Sequence, residues 1–184
     1  DDVRLPGELI GKILRSPHHY DRIKSIDPSR VEALPGVIAV ATGEDAPNRF
    51  GVLPVTKDEH AMAVEKVRHV GDLVACVAAV DEATAIQALS LFDIEWEELE
   101  PVFDPKKGLE DVDEPIHWRG KYHLARTNVQ KRVFQEFGDR SLVSSPTASS
   151  HGSRTMNGVH HGFTEPHAVV AHWDPNGRLQ LYTP

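Results

Sequence analysis

The sequence predicts an α+β fold, and three observations carry that expectation. Stretches of strand length recur in the first half, apolar at Val37 to Ala41 and Leu73 to Val80 and alternating with period two at Phe92 to Trp96. Between the last two, Asp81-Glu82 opens a helical pattern whose apolar stripe is Ala85, Ile86, Ala88 and Leu89, and a shorter strand-helix-strand unit precedes it. Near the end, Asn176-Gly177 stands between two alternating runs. That is a strong hairpin signal, because the tight turn needs positive φ at its central residues.

Taken in order, Leu9 to Leu14 alternates loosely and stops at Ser16-Pro17, which suits a strand ending in a turn because proline cannot donate to a ladder. A second strand is expected over Asp21 to Ile26. Asp27-Pro28-Ser29 then reads as an N-cap with proline at the first helical position, and Val31, Ala33 and Leu34 form a short helix ended by Pro35-Gly36. After the Val37 to Ala41 strand, residues 43 to 63 read as loop. Val67 to Val70, the turn at Gly71-Asp72, and Leu73 to Val80 give a short strand, a turn and a buried central strand. The helix from Asp81 hands over to Phe92 to Trp96, which alternates with period two.

The second half changes character. Pro101 to Asn128 is loop-rich, with one helical turn expected after Asp104-Pro105, and Lys131 to Phe137 resembles an isolated strand. Arg140 to Thr155 holds six serines, no acidic residue and no apolar period, which reads as low sequence order. Ala168 to Trp173 and Leu179 to Tyr182 are the two arms of the expected hairpin.

Bulk properties narrow the function. With 184 residues and 40% apolar content the chain can build a real core. Twenty Lys plus Arg against 28 Asp plus Glu give a formal charge of -8, and no basic cluster exceeds Lys106-Lys107, so nucleic acid and anionic membrane surfaces are poor partners. The longest apolar run, Leu73 to Val80, falls well short of the ~20 residues of a membrane-spanning helix, and the start DDVRLPGEL carries no signal-peptide pattern. A cytoplasmic location is the expectation. The single cysteine, Cys76, lies inside that run and reads as a buried thiol; it excludes a disulfide framework and a CxxC site.

The chemical candidates are few. VHHGFTEPHAVVAH, Val159 to His172, places four histidines and Glu165 in fourteen residues, the ligand types of zinc and non-haem iron. Their spacing fits neither HExxH nor a cysteine-histidine cluster, and on a strand from Ala168, His167 and His172 would face opposite sides. Loop and surface histidines, and a structural Glu165, are therefore the expectation. Ser16-Pro17-His18-His19 puts a serine near histidines without the orienting group and oxyanion hole that a nucleophile requires. No GxGxxG or Walker A loop occurs. The residues alone show an α+β domain without an assembled active site.

Four ordered stretches nevertheless form a pattern: LPGELIGKILRSPHHYDRIKSID, VEALPGVIAVATGED, AVEKVRHVGDLVACVAAVDEATAIQAL and FDIEWEELEPVFDP. Together they resemble the N-terminal part of the large, molybdenum-binding subunit of the xanthine dehydrogenase (molybdenum hydroxylase) family. The first stretch and VEKVRHVGD are phrased most like 4-hydroxybenzoyl-CoA reductase. The resemblance implies a hammerhead-type mixed sheet with flanking short helices, plus the C-terminal β-hairpin. It implies a domain division of 1–115 as hammerhead, 116–157 as a partly irregular linker, and 158–184 as the start of the molybdopterin-binding domain. FTEPHAVVAHWDPNGRLQLYTP resembles the stretch that opens that domain.

The same resemblance implies what this sequence does not contain. The family's glycine-rich Phe-Gly-Gly loop, cofactor-contacting glutamine and catalytic glutamate have no counterpart, and both ends read as cuts. Catalytic, cofactor-binding and metal residues are thus all expected to be none, and no cofactor is expected in this chain. The full-length parent would carry a molybdopterin cofactor and work with iron-sulfur and flavin (FAD) groups on partner chains or domains, since one cysteine cannot ligate a cluster. Its reaction would be hydroxylation of an aromatic heterocycle or aldehyde, or reductive dehydroxylation of 4-hydroxybenzoyl-CoA. The expected partners are the rest of the molybdenum-binding subunit and the iron-sulfur and flavin subunits, with a homo-oligomer through the exposed Leu179 to Tyr182 strand as a further option. Where the family has an acidic, apolar stretch, Arg140 to Thr155 is serine-rich, which suggests a local reading-frame slip; translation of the other two frames would test it. The competing expectation is a stand-alone histidine-rich module that binds a metal or a partner through His160, His161, His167 and His172.

Overall fold

The computed structural model describes residues 3–51, 57–110, 112–117, 127–129, 133–138, 152–154, 156–162 and 164–183. Two compact units emerge: Gly7–Arg132, and Val133–Pro184 with Asp1–Pro6. The larger unit contains β1 (Ile10–Arg15), β2 (Asp21–Asp27), α1 (Ser29–Glu32), β3 (Val37–Thr42), β4 (Arg49–Phe50), β5 (Glu59–His60), β6 (Lys66–Val67), β7 (Leu73–Ala79), α2 (Glu82–Leu89) and β8 (Asp93–Glu98). A 3-10 turn at Lys107–Leu109 follows.

The α+β class stands, and the ladders refine it. In place of one mixed sheet there are two three-stranded sheets, ordered β1-β7-β3 and β6-β2-β8, with a small β4-β5 pair beside them. Every ladder among the described residues is antiparallel. The reason lies in the helices. α1 carries the chain from β2 in one sheet to β3 in the other, and α2 carries it from β7 back to β8, so neither strand-helix-strand unit makes parallel neighbours.

β7 is the central strand expected from its apolar run, and its alternation serves two cores. Val77 and Ala79 face Val31 of α1 and Ala85 and Ala88 of α2, with Ile10, Leu34, Val37 and Val40 packed around them. Val74 turns the other way and joins Ala63 and Val67, where Ile23, Ile26, Ile94 and Trp96 of the second sheet pack. Burying a valine such as Val31 or Val74 completely stabilises by roughly 1.5–3 kcal/mol. Cys76, expected to be buried, is half-buried, because the face of β7 opposite the helices is only partly covered. Burial still raises its thiol pKa, which keeps it an unreactive thiol.

Local chemistry accounts for the element ends. Asp81 caps α2 by accepting from Thr84 N at 2.7 Å. Ile86, expected in the buried stripe, is instead 55% exposed, since Ala85, Ala88 and Leu89 share one helical face and Ile86 lies about 100° away from Ala85. Before α1, Asp27 accepts from Ser29 N at 2.9 Å while Pro28 occupies the cap position, one residue later than the sequence suggests. Gly36 ends that segment at φ +95, and a Cβ there would lie 3.1 Å from Val80 Cγ2. Two expectations are corrected. Within the stretch read as loop, Arg49–Phe50 and Glu59–His60 form a two-residue ladder, too short to leave a period in the sequence. The described part of the Lys131 to Phe137 strand, residues 133–137, has no regular structure, is exposed, and has no ladder partner among the described residues. Residues 139–151, most of the serine-rich stretch, lie outside the described residues.

The smaller unit contains the expected hairpin, β9 (Val170–Trp173) and β10 (Leu179–Tyr182), paired from Leu179 opposite Trp173 to Tyr182 opposite Val170. Asp174 organises its turn by accepting from Asn176 N at 2.8 Å and Arg178 N at 2.9 Å, and Gly177 takes φ +77. Ala171, Trp173, Leu179 and Leu181 share one face.

Candidate functional site

The densest chemistry gathers where β2 and β6 meet the segment Glu114 to His117. Asp21 and Arg22 at the start of β2 pair with Val67 and Lys66 of β6. This register sets Lys66 beside Tyr20, the residue just before β2. Both are buried, with Lys66 7% and Tyr20 4% exposed. A lysine ammonium has three donors, and here each has an acceptor: Tyr20 Oη at 2.6 Å, the Pro115 carbonyl at 2.7 Å and Glu114 Oε1 at 3.3 Å. The nitrogen also lies 4.9 Å from the centroid of the Tyr20 ring. The Tyr20 hydroxyl in turn donates to the Pro115 carbonyl at 3.0 Å.

Charges surround this pair. Arg22 bonds the second oxygen of Glu114 through Nη2 and Glu97 Oε2 through Nε at 3.1 Å, and Lys24 shares Glu97 at 2.8 Å. Arg68 donates from Nε to the Ile116 carbonyl at 3.0 Å, while Ile116 N donates to Asn128 Oδ1 at 2.8 Å. His117 Nδ1 lies 2.8 Å from Asp58 Oδ2. Burial, and then the nearby Glu114 charge, push the Tyr20 phenol up to about 12; Arg68 and Arg22 pull the other way. Burial also lowers the Lys66 pKa, against the pull of Glu114. Among the described residues, Asp58 Oδ1 and Asn128 Nδ2 here, and His60 Nδ1 in β5, are buried without a hydrogen-bond partner. The arrangement holds a backbone segment in place. It presents no nucleophile-base pair to a substrate.

The sequence candidates fall elsewhere. Ser16 is buried, but its hydroxyl bonds the backbone of His18, accepting from the N–H at 3.0 Å and donating to the carbonyl at 3.1 Å. The His18 ring instead faces Asp21, with Nδ1 3.3 Å from Oδ2, and leans on Trp96 at 5.0 Å between centroids. Serine and imidazole are thus turned apart, as a turn-stabilising role requires. In the histidine-rich stretch, His160 Nδ1 accepts from Gly162 N at 3.0 Å, and His172 sits in β9 opposite Gln180. His167 precedes β9, so strand parity does not relate it to His172. Among the described residues no three His, Cys, Asp or Glu side chains come together as a metal would require. Glu165 stands exposed in the same irregular stretch. None of Tyr20, Lys66, Arg68, Glu114 or Asn128 is singled out by sequence reasoning. The Tyr20 to Pro115 contact spans 95 residues, and no local pattern announces it.

Two antiparallel sheets joined by two crossing helices define the class of domain, and comparison with known proteins supplies its family. Residues 1–100 match the family profile described as "Aldehyde oxidase and xanthine dehydrogenase, a/b hammerhead domain". The chain belongs to that family. It is 34% identical over 182 residues to the nicotinate dehydrogenase large molybdopterin subunit of Eubacterium barkeri, covering 98% of this chain and 41% of that protein. It is 36% identical over 151 residues to a xanthine dehydrogenase molybdenum-binding subunit of Escherichia coli, covering 72% of this chain and 20% of the relative. Among solved structures, a Cu,Mo-CO dehydrogenase in its carbon monoxide reduced state superposes with a TM-score of 0.79 at 30% identity, covering 99% of this chain and 24% of that one. The chain therefore spans less than half the length of these relatives. No helix among the described residues is long and apolar enough to cross a membrane.

Proposed function

We propose that this chain serves as the hammerhead part of the large subunit of a molybdenum-dependent oxidoreductase, as a scaffold and without catalytic, cofactor-binding or metal residues of its own. The observation that carries this reading is the reach of the likeness. It runs through 98% of the chain, well past the 1–100 hammerhead match, in a relative named as a large molybdopterin subunit. On this reading residues 1–115 form the hammerhead domain, 116–157 link it onward, and the hairpin within 158–184 opens the molybdopterin-binding region.

The parent enzyme would oxidise or hydroxylate an aromatic heterocycle or an aldehyde, the molybdenum cofactor supplying the two-electron chemistry when bound. Reductive dehydroxylation of 4-hydroxybenzoyl-CoA rests on motif phrasing alone and is the narrower version of the same proposal. Iron-sulfur and flavin subunits would be the partners in a cytoplasmic complex. The described residues supply scaffolding: two cores that hold the sheets, and the Lys66 cluster that holds Glu114 to His117. To test this, the tagged chain is purified under mild conditions from the cells that make it, and the preparation is assayed for molybdenum, iron and flavin. Co-purification of all three with large-subunit sequences is expected. A homogeneous chain without molybdenum or partner subunits would refute it.

A further inference from the structure

We propose that Glu114 to His117 is a strap that opens independently of the two apolar cores, clasped by Lys66, Tyr20, Arg68, Asp58 and Asn128. The family reading neither requires nor implies this device. Three anchors act on consecutive residues. Lys66 and Tyr20 converge on the Pro115 carbonyl, Arg68 and Asn128 take the two backbone groups of Ile116, and Asp58 takes the His117 ring.

What separates the strap from the domain is the kind of force that holds each. The two apolar clusters are built from α1, α2, the strands and Ala63, with their partly buried neighbours, and no strap residue belongs to either. The anchors of the strap are hydrogen bonds and ion pairs. Such contacts contribute modestly one by one, so losing one anchor lowers the free energy of opening the strap while leaving the cores intact. The charged groups facing Lys66 are Glu114 on the strap, Arg22 on β2 and Arg68 beyond β6, with Tyr20 as the neutral partner. Glu114 is shared between Lys66 and Arg22, which makes it the pivot of the clasp.

Hydrogen exchange on the whole 184-residue chain tests this, read at peptides covering 112–117 and 127–129 and at β7 as the core reporter. Lys66→Met and Asn128→Ala attack opposite anchors, and Glu82→Gln, which breaks an exposed pair with Lys12, is the control. In each anchor variant the strap amides should exchange roughly tenfold faster or more, with β7 unchanged and the control silent. Strap exchange unchanged in both variants would show that these anchors do not hold it. Acceleration of β7 together with the strap, or loss of the fold in either variant, would show that the strap is part of the domain's single cooperative unit.

Discussion

Raising the pH through the Tyr20 titration gives the sharpest test of the buried cluster. The phenol is 4% exposed and lies between the Lys66 ammonium and the Pro115 carbonyl. Its pKa rises from the ordinary 10.0 to about 12, chiefly through burial. The folded state therefore holds this proton more tightly than the unfolded chain. The associated stability is fully present below pH 10 and is lost as the pH climbs through about 12. At about 1.4 kcal/mol per pH unit the loss is about 3 kcal/mol. Lys66 acts in the opposite sense. Its lowered pKa lets the folded state release a proton first, so its effect favours folding as the pH rises through the lowered value toward 10.5. Comparing the protein with Tyr20→Phe separates the two. Phe leaves the lysine in place, removes the titrating hydroxyl, and costs roughly 1–3 kcal/mol at neutral pH through the partners it abandons. Urea unfolding followed by tryptophan fluorescence from pH 8 to pH 12 should show the gap between the two proteins closing as the wild type loses its extra stability. The 295 nm absorbance difference between them should have its midpoint near 12. A midpoint near 10, or stability curves that stay parallel throughout, would refute the burial argument.

Three further outcomes follow from the same structure. Gly43→Ala should destabilise by about 1–3 kcal/mol in thermal or urea unfolding, because a Cβ there would sit 2.3 Å from the Ala63 carbonyl oxygen, a backbone atom that cannot rotate away. Asp81→Ala should lower Tm by roughly 2–4 °C through loss of the α2 cap; the Asp81 pKa is held below the ordinary carboxylate value by Thr84, so that contribution is present above the unfolded value of 3.8 and fades as the pH falls through the folded one. Adding a strong chelator should leave Tm unchanged, since the described histidines and carboxylates form no metal-binding group; a chelator-dependent drop would revive the histidine-rich module.

The gap between expected and observed elements has a consistent physical cause. Periodicity located β7, α2, β8 and the hairpin because each repeats its signal over several residues, and Asp81 and Asn176-Gly177 mark their positions with capping and turn chemistry. It missed β4-β5, whose two-residue strands are too short to repeat anything. Residues Val133 to Phe137 erred in the other direction: valine and two phenylalanines give the segment a strand-like composition, but a strand exists only if another strand accepts its hydrogen bonds. The Ser16 to His19 turn shows the same limit at the level of chemistry. Sequence places serine beside histidine, and only the backbone geometry shows the hydroxyl occupied by the His18 main chain.

By itself, the sequence determined the α+β class, the helix and strand spans with strong local signals, and the family resemblance. These rest on interactions between residues close in the chain, or on motifs read as words. Only the tertiary structure decided that the two helices cross between sheets, making every described ladder antiparallel, and that Tyr20, Lys66 and Glu114 form one buried cluster. The reason is range. A tripod of acceptors around one ammonium draws on residues 46 to 49 positions away in sequence, and such a site exists only when the Glu114 to His117 segment lies against the second sheet and shuts out the water that would otherwise satisfy it.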